Sequence, residues 1–89
     1  MIRYTVVLKR VPDGRYAVTV PALDGLVTEG ESLPHALRMA EEAILAYLDG
    51  LRALGRQPPP DLDEVSVSLG EAEEAMVLRV EIEEAPALA

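Results

Sequence analysis

The stretch Ser32–Leu54, SLPHALRMAEEAILAYLDGLRAL, constrains this chain more than any other. Leu33, Leu37, Ala40, Ile44, Tyr47, Leu51 and Leu54 recur at alternating gaps of four and three, the spacing of one apolar stripe on an α-helix. Ala36 and Leu48 widen that stripe, while Arg38, Glu41, Glu42, Asp49 and Arg52 fall on the far side. Ser32 is placed as N-cap, where its hydroxyl can accept a free first-turn N–H. Pro34 falls in the first turn, where a missing N–H costs little. Gly55 is placed to end the helix in a left-handed conformation, and Pro58-Pro59-Pro60 prevents its resumption. At 1.5 Å per residue such a helix is roughly 33 Å long. No other segment is long enough to be a partner helix, so the stripe must lie on a sheet. Leu37, Ile44, Tyr47 and Leu51 are the expected core contacts.

The flanking runs supply that sheet. Tyr4, Val6 and Leu8 alternate with Arg3, Thr5, Val7 and Lys9, a half-buried strand. Val11-Pro12-Asp13-Gly14 is a hairpin turn, and Tyr16, Val18 and Val20 form the inward side of the return strand. Pro21 ends it, and Leu26–Glu29 reads as a short third strand. After the helix, residues 56–63 are a proline-rich connector. Val65, Val67 and Leu69 then alternate with Ser66 and Ser68, and Met76, Leu78, Val80 and Ile82 with Val77, Arg79, Glu81 and Glu83. Both runs read as strands, and residues 85–89 as a frayed tail. The expected architecture is one α+β domain over residues 1–89, in two layers. One mainly antiparallel sheet carries one long helix, in the order β-β-β-α-β with one further strand in the second half. The last strand, reached through the helix, can add parallel to the first by a crossover connection.

Eighty-nine residues bury only about 60–65% of the surface of the unfolded chain, which favours oligomerisation. The formal charge of −8 is uneven. Residues 1–50 hold five basic and seven acidic groups, residues 51–89 three and nine. Nucleic acid is bound through phosphate neutralisation, so this balance argues against a DNA- or RNA-binding surface and suits a basic protein partner. There is no cysteine, hence no disulfide and no thiolate metal site. No signal peptide or run of membrane-spanning length is visible, and a cytoplasmic protein is expected.

A catalytic constellation does not assemble from the sequence. His35 is the single histidine and reads as a surface residue. Gly25 and Gly30 lack the context of a phosphate-binding loop. The inward strand positions are apolar, so the many acids form solvated faces rather than a metal site, and neither an enzyme nor a bound cofactor is expected. Two surfaces are candidates for self-association: Val7, Ala17 and Val77 on the outer sheet face, and the small residues Met39, Ala43 and Ala46 on a helix flank. A homodimer or homotetramer is expected, with the sheet as the primary contact.

Pro21, Leu23, Gly25, Leu26, Thr28 and Gly30, followed by Leu33, Ala36, Leu37, Ala40, Ala43, Tyr47 and Leu48, form a combined string that resembles the HicB-like antitoxins. Tyr4 and Tyr16 fit the hairpin of that family, and the resemblance covers residues 2–60. Asp24 stands where the family often has proline, and Pro34 and His35 where it has acids. The resemblance implies a partial RNase-H-like fold without nuclease activity. It further implies that the protein binds and masks a small basic mRNA-cleaving toxin of the HicA type. Many such antitoxins carry a C-terminal DNA-binding domain, but here only two strand-like runs follow Pro60, so operator binding is not expected. The alternative is a stand-alone oligomeric scaffold or small-ligand-binding protein with no toxin partner.

Overall fold

The computed structural model describes residues 2–82. Four strands and one long helix follow in order: β1 (Ile2–Arg10), β2 (Tyr16–Val20), β3 (Leu26–Gly30), α1 (Leu33–Ala53) and β4 (Glu74–Ile82). The strands form one sheet of order β3-β2-β1-β4, antiparallel throughout. The β1–β2 hairpin closes on Val11 N–H donating to the Arg15 carbonyl, while the Gly14 N–H returns to the Val11 carbonyl. Gly14 has φ +90°, which a side chain would resist. Pro21, with no N–H to give the ladder, stops β2 and opens a single 3₁₀ turn over Pro21–Leu23.

The helix begins and ends as its sequence dictates. Ser32 Oγ accepts from the His35 N–H at 3.2 Å. At the other end Gly55 N–H donates to the Arg52 carbonyl and Arg56 N–H to the Leu51 carbonyl, a Schellman closure with Gly55 at φ +72°. Four residues of α1 are fully buried: Ala36, Ala40, Ile44 and Leu48. They meet Tyr4, Val6, Leu8, Val18, Val20, Leu23 and Ile82 in one cluster. Of the expected core contacts, Ile44 is central, whereas Leu37, Tyr47 and Leu51 are half-buried flanks. The buried line therefore runs at steps of four, rotated from the expected stripe toward its small members. Leu54 leaves that line altogether and is 71% exposed, because it caps the helix end.

The second half departs from expectation in two ways. Val65, Val67 and Leu69 form no strand; residues 64–69 lie outside the sheet ladder. The last strand is antiparallel to β1, not parallel, with Arg10 opposite Glu74 and Ile2 opposite Ile82. Both differences have one cause. The helix ends near the start of β1, where Pro59 and Asp61 bond to Tyr4 and Thr5. The connector then runs the length of the sheet a second time, until Glu73 N–H donates to the Arg10 carbonyl at 2.8 Å. Having made that extra pass, the chain enters β4 from the opposite end. The expected frayed tail, residues 85–89, and position Glu83 lie outside the described residues.

Candidate interaction surface

The connector is built into the outer sheet face by one acid. The β1–β2 ladder begins only at Val7–Thr19, so the first half of β1 has an open side. Asp61 fills it: Oδ1 accepts from the Thr5 N–H at 2.9 Å and Oδ2 from Thr5 Oγ at 2.7 Å. Beside it the Tyr4 hydroxyl donates to the Pro59 carbonyl at 2.6 Å. Burial works to raise the Asp61 carboxyl. The Thr5 and Leu62 hydrogen bonds and the charge of Arg79 outweigh it, and the net displacement is downward. The Tyr4 phenol is pushed up, first by burial and then by the Asp61 charge, so it remains a donor.

A pH dependence follows from this geometry. A carboxyl whose folded pKa lies below its unfolded value binds fewer protons when folded. Its stabilisation is complete above the unfolded value, about 3.9, and is lost as pH falls through the folded value. The urea midpoint should therefore fall on acidification below that value. Asp61→Asn should flatten this acid limb while lowering the neutral-pH midpoint. Parallel acid limbs in the two proteins would contradict the assignment.

Past Asp61 the chain crosses the outer face. Val7, Lys9, Thr19 and Pro21 on one side and Leu62, Glu64, Val65, Ser66 and Val67 on the other line an open groove of about 210 Å³. Val7, expected as an association residue, is thereby covered within the chain and is 5% exposed. Ala17 is half-buried, and Val77 is 52% exposed on β4. On the helix flank Met39 and Ala43 are half-buried and Ala46 is exposed. The outer face therefore does not present Val7, Ala17 and Val77 as one open patch. Exposed pairs balance its charges across strands, Arg3–Glu81 at 3.8 Å and Arg15–Glu29 at 3.6 Å.

His35 has a local structural role. Its Nδ1 accepts from the Glu31 N–H at 3.0 Å, while its own N–H is held by Ser32, so both groups close the helix entrance. No group of three or more His, Cys, Asp or Glu among the described residues could hold a metal ion. Tyr47 donates to Asp24 Oδ2 at 2.9 Å, and that bond is the first cause raising its phenol. Asp24 has φ +55°, a conformation closed to proline. Neither Asp61 nor Asp24 was identifiable by spacing. Asp61 bonds a residue 56 positions away, and its one local sign is an acid directly after three prolines. No helix among the described residues is long and apolar enough to cross a membrane.

Comparison with known proteins gives four likenesses. Residues 4–87 match the family model described as HicB-like antitoxin of bacterial toxin-antitoxin system. A UPF0150 protein of Thermoplasma acidophilum is 39% identical over 67 residues, 74% of this chain and 97% of that protein. One from Archaeoglobus fulgidus is 35% identical over 48 residues, 54% of this chain and 70% of that protein. The fold is similar to the crystal structure of the N-terminal domain of Burkholderia pseudomallei antitoxin HicB. The TM-score is 0.66 at 22% identity, covering 93% of this chain and 100% of that one.

Proposed function

Since the chain belongs to the HicB-like antitoxin family of bacterial toxin–antitoxin systems, we propose that it is a non-catalytic antitoxin that binds and neutralises a small basic mRNA-cleaving toxin of the HicA type. The observation that carries this reading is the family match over residues 4–87, nearly the whole chain. Charge supports it. The chain is at −8, and complementary charge speeds the encounter with a basic partner and disfavours wrong ones. The reading puts both proteins in the cytoplasm, where mRNA is.

The test is co-expression with a small basic toxin of the HicA type, tagged on that partner only. The expected result is a complex that survives gel filtration at physiological salt, together with restored growth of cells that the partner alone arrests. Continued arrest, with no complex at matched expression, would refute the proposal.

A further inference from the structure

The charge of the chain is concentrated in the connector. Residues 61–74 hold six acids, Asp61, Asp63, Glu64, Glu71, Glu73 and Glu74, and no basic residue, which leaves eight bases and ten acids, or −2, for everything else. The outer-face ion pairs, Arg3–Glu81 and Arg15–Glu29, lie between strands and take none of these acids. The same segment forms one wall of the open groove. Leu62, Val65 and Val67 stand on one side of it and Val7, Thr19 and Pro21 on the other, around about 210 Å³. An apolar cavity of about 150 Å³ holds a benzene ring, so this groove has room for one large side chain. Lys9 and Glu64 also line it and balance each other, so the net charge around it is that of the neighbouring acids. Apolar surface continues past the lining: Val27 stands directly opposite Thr19 and is 69% exposed. The connector wall is fixed in place, because both oxygens of Asp61 hold Thr5.

We propose that this groove is where the basic toxin docks, seating one apolar side chain of that partner while lysines or arginines beside it meet Asp63 and Glu64. The inference rests on the toxin reading and adds the place of contact to it. Two properties of the surface select such a partner. An apolar anchor in a preformed pocket, ringed by polar contacts that exclude water, is the arrangement in which a few residues carry most of the binding energy. The ring here is acidic, while the strand charges around it are paired. It therefore attracts a partner of opposite sign, and at this face it disfavours a second acidic copy of the chain or a phosphate backbone.

Four variants test the site by calorimetric titration with a purified HicA-type toxin. Ser66 is exposed and lines the groove, so Ser66→Trp plugs it without a change of charge. Ser68→Trp, two residues on and outside the lining, is its control. Asp63→Lys with Glu64→Lys reverses the acidic ring at two exposed positions, and Glu41→Lys with Glu42→Lys makes the same change of charge on the helix. Ser66→Trp and the Asp63/Glu64 pair should each weaken binding by about thirtyfold or more, the loss of a central contact. Ser68→Trp and the Glu41/Glu42 pair should stay close to the parent. Where a thermal melt shows Ser66→Trp to be unfolded, the Asp63/Glu64 pair decides. Parent-like affinity in the folded groove variants overturns the site and leaves the toxin reading standing. An equal loss in the helix pair also overturns it, since net charge alone then accounts for binding. A change in this chain's own sedimentation mass on Ser66→Trp, with toxin affinity unchanged, gives the groove to a second copy and overturns it too. Failure of the parent chain to bind refutes the toxin reading and the site together.

Discussion

Gly30→Ala should destabilise the domain by about 3 kcal/mol, the upper part of the usual range for overpacking a tight contact. The position is demanding because the backbone of β3 touches the backbone of α1 there. A β-carbon on Gly30 would sit 2.4 Å from both Cα and N of Ala36 and 2.8 Å from its Cβ. Two of those three atoms are main chain, so no rotamer change can relieve the clash; the first turn of the helix must lift from the sheet. Lifting it strains the Ser32 and His35 hydrogen bonds that close the helix entrance. Gly50→Ala is the matched control. It lies on the exposed side of the helix, and nothing stands within 4 Å of the added carbon. Relieving the entropy cost of a helical glycine should stabilise by up to about 1 kcal/mol. Urea unfolding of the two variants should thus give shifts of opposite sign; a Gly30→Ala loss below that of an ordinary surface change would show that the two backbones are not in contact.

Ile44→Ala should cost about 3–4 kcal/mol, or roughly 12–30 °C in melting temperature for a domain of this size. Ile44 is the large β-branched side chain at the middle of the buried line Ala36, Ala40, Ile44, Leu48 and has no exposed surface. Its neighbours on that line toward the N-terminus are alanines, which cannot move in to fill a void, so the cavity term adds to the transfer term. Leu51→Ala, on the half-buried flank, should cost about half as much, since less apolar area returns from water. Equal losses at the two positions would move the centre of the core back to the stripe as spaced in the sequence.

The difference between those two positions marks where the sequence was legible. Helix existence, its caps at Ser32 and Gly55, the hairpin and the third strand all follow from local rules, and the structure agrees with them. The face of the helix was read nearly correctly, but gaps of four and three weight large residues, whereas close packing on β3 selects Ala36 and Ala40. The segment from Val65 to Leu69 departs from expectation for a different reason. Period-two alternation says that a run is extended with two unlike sides; it does not supply an edge to pair with. Both sides of β1 are occupied, by β2 and by β4, and the remaining gap is closed by Asp61. The run therefore crosses the outer face instead. The direction of β4 differs from expectation because a crossover through a helix ordinarily returns the chain parallel. Here residues 56–73 make one more pass, anchored by a carboxylate whose partner lies 56 residues earlier. The candidate association residues fared accordingly: Val7 was legible as outward-facing but not as covered, because its cover is that same segment.

The proposal that this protein works by binding rests on the family assignment and on the acidic balance of the chain. The measurement that bears most directly on this is a titration of RNA cleavage by the proposed HicA-type toxin with this protein. Cleavage of a defined mRNA should fall linearly and end at a fixed molar ratio, the signature of stoichiometric masking, while this protein alone leaves the RNA intact with or without Mg²⁺. Cleavage that continues unchanged at excess of this protein would contradict the account, as would metal-dependent RNA cleavage by this chain itself.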